Sequence, residues 1–378
     1  MKIYFISKDV KNLANKASGG GKSSETLLKY LTEFGNDVKI FNSASELKSD
    51  IKSEKPDIVL HQNIQEMVLT QRICEKNDVP LVVTVNSFIS CCTSMHITNR
   101  TKYGEPCYKC SFPKCFKCMF SGIKYAYPSI HLRIRDTLLT PAYYTIRGLR
   151  IRALNKADKV ICISPTMKKM IESAGVDTQK IEVIPQPVDP YFLSPPESNI
   201  FEESDIAFIS SAQWFKGAHL AAEAISKLNN IRLVIAGGET KTGNYIKQIL
   251  ADRAIFVGML SKEEMKKYYY SAHVVLFPSI WFEAFGRAWA EACMCGKPVV
   301  AFKGRGGASD YLKHEETALL SDYDVDEYAE QIKRLFEDEA LYRKISRNAR
   351  EYAKKNFSAD VVAKKYEKVF EEVYHILK

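Results

Sequence analysis

Hydrophobic and polar positions alternate in blocks along the chain. Short unbroken apolar runs at Lys2–Ser7, Asp37–Phe41, Asp57–His61 and Pro80–Val85 are separated by stretches with helical spacing. In one of these, Lys22–Phe34, the residues Leu27, Leu28 and Leu31 fall on one side. Continuous apolar strands joined by helices predict a parallel sheet covered on both faces. The pattern breaks at Asn86, and to about Tyr144 the chain is irregular, Cys-rich and Pro-bearing. It resumes with a helix through Asn155, a strand Lys159–Ile163, a helix after Ser164 and Pro165, and a strand Lys180–Ile184.

Five prolines between Pro185 and Pro196, followed by an acidic cluster, exclude a regular element and mark an interdomain linker. A second series of strands follows at Asp205–Ser210, Ile231–Ala236, Ala254–Val257, His273–Phe277 and Pro298–Ala301. Long Lys/Glu-rich helices close the chain, from about Asp324 to Phe336 and from Leu341 onward, with Ser358 as an N-cap for the last. The expected fold class is α/β, with two doubly wound domains in tandem. Ligands bind outside the carboxyl ends of such sheets, so a cleft between the domains is the expected site.

At 378 residues, each half is long enough to bury a core. No apolar run reaches spanning length, and the run Ile3–Ile6 is too short for a secretory segment, so a cytoplasmic protein is expected. The net charge of +9 is unevenly placed. Cys107–Arg152 holds nine Lys or Arg, one acid (Asp136) and eight aromatics, among them Phe112, Phe116 and Phe120. That mixture suits an anionic membrane surface or a polyanion, and equally a solvated face over core aromatics.

Ten cysteines in a cytosolic chain should be mostly reduced. Cys107, Cys110, Cys115 and Cys118 form two Cys-x-x-Cys pairs that can offer four thiolates to one structural zinc. Reduced thiols, or a redox or iron–sulfur role, are the alternatives. His96 and His131 lie in the same stretch, and His61 ends a strand; each reads as a surface or satisfied residue before a catalytic one.

The segment PSIWFEAFGRAWAEACMCGKPVVAF (278–302) carries the strongest chemical signal. Glu283 lies in a loop after a strand, Gly286 permits close backbone approach, and Glu291 lies about two turns further along. Carboxylates accept hydrogen bonds from sugar hydroxyls, while amides at a helix start hold a diphosphate. Trp281 is placed to line a sugar pocket, and Trp289 reads as core.

This segment closely resembles the Glu-x7-Glu motif of glycosyltransferase family 4, the retaining nucleotide-sugar transferases of the GT-B fold, whose two Rossmann-like domains face a cleft. The resemblance extends through SGGGKSSETLLKYLTEFGNDVKIF (18–41), NKADKVICISPTMKKMI (155–171), KIEVIPQPVD (180–189), FKGAHLAAEAI (215–225), FVGMLSKEEMKKYYYSAHVVLFPS (256–279) and GRGGASDYL (304–312). It implies an acceptor-side domain over 1–190, with a Cys-rich insertion at 87–142 of the kind a subset of the family carries. A C-terminal helix, 358–378, would pack back on that domain. A nucleotide-sugar-binding domain would cover 191–357.

The resemblance also implies roles. Glu283 is expected near the donor sugar, Glu291 on the ribose, and Lys216 on the donor diphosphate. Gly19, Gly20 and Gly21 are expected to form a loop facing phosphate or acceptor. Ala284, Phe285, Gly286, Arg287 and Gly258 are expected around the donor. No catalytic metal is required where Lys and helix amides neutralise the leaving group. The implied partners are a nucleotide-diphosphate sugar and a glycan or lipid-linked acceptor, with peripheral contact to an anionic inner membrane face through 107–152; no nucleic acid is expected.

Two positions depart from the family pattern. Ser210 and Ser211 stand where the family has an Arg, and Arg287 and Arg305 are the candidates to replace it. Asn86 stands where the family has a His; as a catalytic-site residue it can donate to a sugar hydroxyl but cannot shuttle a proton. These departures leave room for a nucleotide-sugar epimerase or phosphorylase on the same scaffold. A zinc-bearing polyanion-binding protein is the other alternative. A P-loop is excluded because residue 16 is Lys16 where it needs glycine, and the loop lies too far beyond the first strand.

Overall fold

The computed structural model describes residues 1–8, 19–62, 66–92, 107–108, 110–122, 130–201, 205–238 and 240–376. The chain forms two compact units: Met1–Pro187 with Ala359–Lys378, and Val188–Ser358. The first unit runs β1 (Lys2–Ile6), α1 (Gly19–Glu33), β2 (Asp37–Phe41), α2 (Ala44–Asp50), β3 (Ile58–Gln62), α3 (Met67–Lys76), β4 (Leu81–Val85), α4 (Phe112–Gly122), α5 (Ile130–Leu138), α6 (Thr140–Lys156), β5 (Lys159–Cys162), α7 (Pro165–Ser173) and β6 (Ile181–Val183). Its strands pair in parallel in the order β2-β1-β3-β4-β5-β6. The inner strands β3 and β4 are buried throughout, while edge strand β2 alternates, so the unbroken apolar runs of the sequence are the central strands.

The second unit runs β7 (Ile206–Ile209), α8 (Ala218–Ser226), β8 (Arg232–Ala236), α9 (Lys241–Leu250), β9 (Ala254–Gly258), α10 (Lys262–Ser271), β10 (Val274–Phe277), α11 (Arg287–Met294), β11 (Val299–Phe302), α12 (Gly307–Tyr311), β12 (Leu319–Ser321), α13 (Val325–Glu337) and α14 (Glu339–Phe357). Its parallel order is β12-β11-β10-β7-β8-β9, so the connections reverse direction between β7 and β10. A crevice opens at such a reversal, outside the carboxyl ends of the two strands.

The chain then returns to the first unit as α15 (Ala359–Ile376). Val362, Ala363, Tyr366, Val369, Phe370 and Val373 recur at helical spacing and pack with Ile3, Phe5, Leu27, Leu31, Ile58 and Leu60. Local signals set several boundaries. Ser164 caps α7 by accepting from the Met167 amide at 3.2 Å, with Pro165 in the first turn. Ser261 and Glu264 form a reciprocal capping box on α10.

Three expectations change. The stretch from Asn86 to Tyr144 contains helices α4 and α5 and the start of α6, where the sequence reads as irregular. The glycines Gly19, Gly20 and Gly21 form the first turn of α1 and not a loop, because Leu27 and Leu31 anchor a helix that extends back through them. The Pro-rich stretch holds a 3-10 turn at Pro190–Leu193 that packs on the second unit: Phe192 is buried, and Tyr270 Oη donates to the carbonyls of Phe192 and Leu193, both at 3.0 Å. Among the described residues no helix is long and apolar enough to cross a membrane.

Burial fixes the protonation of several core thiols. It pushes Cys74 and Cys293 up to about 12, and raises Cys91, Cys162 and Cys295 as well. A thiol in the unfolded chain ionises near ~8.5. Above that pH the unfolded state sheds protons that the folded state keeps, so stability falls as pH rises. Each such thiol contributes a loss of roughly 1.4 kcal/mol per pH unit. Thermal melts should therefore shift steadily downward between about pH 8.5 and pH 10; a flat melting temperature over that range would show that the thiols are not buried as described.

Candidate active site

The reversal point of the second sheet is where the expected donor residues meet. Lys216 follows β7 and Glu283 follows β10, the two strands that flank the crevice. Lys216 Nζ bonds to Glu283 Oε1, and Ser279 Oγ donates to the same oxygen at 2.8 Å. The second oxygen, Oε2, has no hydrogen-bond partner among the described residues, so it can accept from a ligand hydroxyl. Glu283 is buried, whereas the Lys216 side chain is about one third exposed.

Backbone contacts that only glycine permits hold this pair. Gly217 has φ +76, and a Cβ there would fall inside the carbonyl oxygen of Pro278. The Trp281 amide donates to the Phe215 carbonyl at 3.1 Å, which ties the same two loops again. On the other side Glu283 forms a parallel bridge with Gly306: its amide donates to the Arg305 carbonyl at 3.1 Å, and the Gly307 amide donates to the Glu283 carbonyl at 2.8 Å. A Cβ on Gly306 or Gly307 would overlap the carbonyl of Glu283 or Ala284. Lys216 and Glu283 thus meet because three loops approach backbone to backbone.

Gly286, at φ +88, turns the chain into α11; a Cβ there would lie 2.6 Å from the Phe277 ring. Phe285 and Trp289 are fully buried, and Trp289 Nε1 donates to the Phe285 carbonyl at 2.7 Å, so the aromatic pair fixes the helix start. Glu291 lies on the next turn. Arg287 donates to its Oε1 from Nη2 at 2.9 Å and from Nε at 3.2 Å, and Tyr269 Oη donates to Oε2 at 3.2 Å. Burial first, and then the Glu291 charge, hold the Tyr269 phenol far above its usual range, so it remains a donor.

Other expected residues fall elsewhere. Gly258 ends β9, and its carbonyl accepts from the Gly237 amide at 2.7 Å, on the carboxyl edge of the same sheet. Of the two candidates to replace the missing family arginine, Arg287 is bound to Glu291 and Arg305 stacks over Tyr323 at 4.5 Å. Ser211 Oγ accepts from the Gln213 amide at 3.3 Å and continues the turn toward Lys216.

In the first unit, Gly20 and Asn86 line a pocket with Ser23, Gln62, Thr84 and Tyr366. Gln62 Nε2 donates to Thr84 Oγ1 at 3.0 Å, and Thr84 Oγ1 and Tyr366 Oη lie 3.1 Å apart. This pocket too lies at a reversal, since Gly20 follows β1 and Gln62 ends β3.

The expected zinc ligands lie on and just before one helix. Cys115 and Cys118 lie on α4, while Cys107 and Cys110 precede it. The Cys110 and Cys115 sulfurs lie 2.9 Å apart. Among the described residues no three His, Cys, Asp or Glu side chains converge to hold a metal ion. No zinc chemistry is derived from this donor set. His96 lies outside the described residues.

Ser279 and Tyr269 escaped the sequence reading. Ser279 had a signal, since it closes the strand four residues before Glu283. Tyr269 had none, as the middle of three consecutive tyrosines.

Two family models match consecutive parts of the chain: Glycosyltransferase Family 4 over residues 29–192 and Glycosyl transferases group 1 over residues 194–352. The chain belongs to the GT4-type glycosyltransferases. A D-inositol 3-phosphate glycosyltransferase of Mycobacterium marinum is 27% identical over 207 residues, which is 50% of this chain and 44% of that protein. The chain thus spans about half the length of the curated relatives it matches. The Anabaena protein HepE, solved in complex with UDP, superposes with TM-score 0.72 at 17% identity, covering 98% of this chain and 100% of HepE. A sucrose-phosphate synthase from Thermosynechococcus elongatus does so with TM-score 0.73 at 18% identity, over the full length of both. These likenesses establish the GT-B fold of this glycosyltransferase.

Proposed function

We propose that this glycosyltransferase moves a hexose-type sugar from a nucleotide-diphosphate sugar to an acceptor hydroxyl with retention, in the assembly of a cell-surface polysaccharide or glycolipid. The observation that carries the reading is the Lys216–Glu283–Ser279 cluster at the reversal point of the second sheet. Departure of a nucleoside diphosphate places growing negative charge on phosphate oxygens. The Lys216 ammonium is the group to neutralise it, with the early amides of α11 beside it. Glu283 offers Oε2 to a sugar hydroxyl, and Glu291 offers a carboxylate already oriented by Arg287 and Tyr269 to the ribose. Retention rests on the likeness to the family motif. HepE, of the same fold, was solved with UDP and with UDP-glucose, which supports a nucleotide-sugar donor.

The first unit supplies the acceptor side in this reading, with Asn86 as a hydrogen-bonding group and no proton shuttle. A glycan or lipid-linked acceptor fits a peripheral contact of residues 107–152 with an anionic membrane.

The direct test is turnover of a panel of nucleotide sugars with candidate acceptors, preceded by a thermal-shift screen, because a ligand that binds the folded state raises its melting point. Interconversion or phosphorolysis of the donor with no acceptor present would replace the reading with an epimerase or phosphorylase. Glu291→Gln should weaken binding of the nucleotide sugar roughly 10- to 100-fold, as expected for a charge-assisted hydrogen bond. Tyr269→Phe should weaken it about threefold to tenfold by freeing the carboxylate. Unchanged donor affinity in both, measured by calorimetry, would remove Glu291 from the ribose.

A further inference from the structure

Spacing along the chain groups Cys107 with Cys110 and Cys115 with Cys118, each as a Cys-x-x-Cys pair. The fold brings together one sulfur from each pair instead: those of Cys110 and Cys115 lie 2.9 Å apart. A disulfide bond is ~2.05 Å long, so the two sulfurs stand within about 0.9 Å of bonding distance. Two thiolates on one tetrahedral zinc, each ~2.3 Å from the metal, would stand roughly 3.8 Å apart.

The start of α4 creates this approach. Cys110 precedes the helix, and the Cys115 amide donates to the Ser111 carbonyl at 2.9 Å, so the chain between the two cysteines is wound into one helical turn. Cys115 is buried, whereas Cys110 is partly open to solvent. Few other contacts anchor α4. Among its described residues only Cys115 and Met119 are buried, and Phe112 meets Tyr144 of α6 edge-on with ring centroids 5.7 Å apart. A helix held by so few buried side chains opens locally at little cost.

We propose that Cys110 and Cys115 are a reversible redox pair, whose disulfide staples the first turn of α4 to the segment before it. The oxidant is a small-molecule disulfide of the glutathione type. Cys110, the accessible sulfur, attacks one sulfur of that disulfide, and the first glutathione leaves with the proton that Cys110 gives up. Cys115 then attacks the mixed disulfide at Cys110 Sγ, and the second glutathione leaves with the second proton. Two protein thiols are oxidised, and one glutathione disulfide is reduced to two thiols. A pair reached from solvent through Cys110 belongs to the labile class of disulfides, which a reducing glutathione pool reopens.

The experiment equilibrates the full wild-type chain in mixtures of reduced and oxidised glutathione, alkylates the remaining thiols and maps the peptides by mass. Cleavage after Lys109, Lys114 and Lys117 puts each of the four cysteines on its own peptide, so the partners of any disulfide are read directly. An excess of oxidised glutathione should join the Cys110 and Cys115 peptides in most chains, and reduced glutathione should separate them. Hydrogen exchange at the amides of α4 should slow roughly tenfold in the oxidised protein. Cys110→Ser should remove both the disulfide and the slowing; the peptide map of the wild-type chain decides the pairing even if that variant folds poorly. Disulfides within the motifs, Cys107 to Cys110 or Cys115 to Cys118, would overturn the proposal. So would thiols that persist in excess oxidised glutathione, and so would one zinc ion per chain that shields the four cysteines from alkylation.

Discussion

Glu283→Gln is expected to lower kcat for sugar transfer by about 10²–10³-fold with little change in melting temperature. The substitution keeps the shape of the side chain and its contact with Ser279, so the loop pinned by Arg305 and Gly307 should hold. It removes the negative charge that orients Lys216 and weakens the acceptor offered to the sugar. Lys216→Met is expected to cost about as much, since the ammonium is the group placed to meet charge on the leaving phosphate. The two act through one shared bond, so the double variant should fall well short of the product of the single effects. Full multiplicativity would show that the pair is incidental, and wild-type turnover in either single variant would displace the site.

The second large effect is structural. Gly217→Ala and Gly306→Ala each add one carbon, yet each should destabilise the protein by about 2–4 kcal/mol. Both positions combine a positive φ with a carbonyl already where the new carbon must go: that of Pro278 for Gly217, and that of Glu283 for Gly306. Relief requires the loops to part, and that separates Lys216 from Glu283, so activity should fall with stability. Gly35→Ala is the control, because Gly35 has φ +87 but open space around it, and it should cost only about 1 kcal/mol. A melting temperature for Gly217→Ala no lower than for Gly35→Ala would mean that the loops do not touch as described.

Much of the architecture was legible because inner strands of a parallel sheet must be apolar on both faces. Val82, Val83 and Val85 announce β4 in that way, and Val274, Val275 and Leu276 announce β10. β12, the short edge strand Leu319–Ser321, was not read from the sequence. α4 and α5 were missed as well. Large apolar residues such as Phe116, Phe120, Ile134 and Leu138 are exposed on them, while the buried positions include Cys115 and Met119 on α4 and Asp136 and Thr137 on α5, so no single apolar stripe marks the covered side. At the site, Glu283, Glu291 and Lys216 stood out through their likeness to a family motif. Tyr269 did not, because its role depends on α10 lying next to α11, a contact that no local spacing encodes.

The return of α15 to the first sheet has a consequence for biogenesis. Ile3, Phe5, Ile58 and Leu60 are covered in part by Tyr366, Val369 and Phe370, which the ribosome adds only after Val188–Ser358. During synthesis the amino-terminal sheet therefore waits, one side incompletely shielded, while the whole of Val188–Ser358 is added and folds. A sheet that emerges before the second unit is thus sealed only after it, and over that interval its incompletely covered strands are open to contact with other nascent chains.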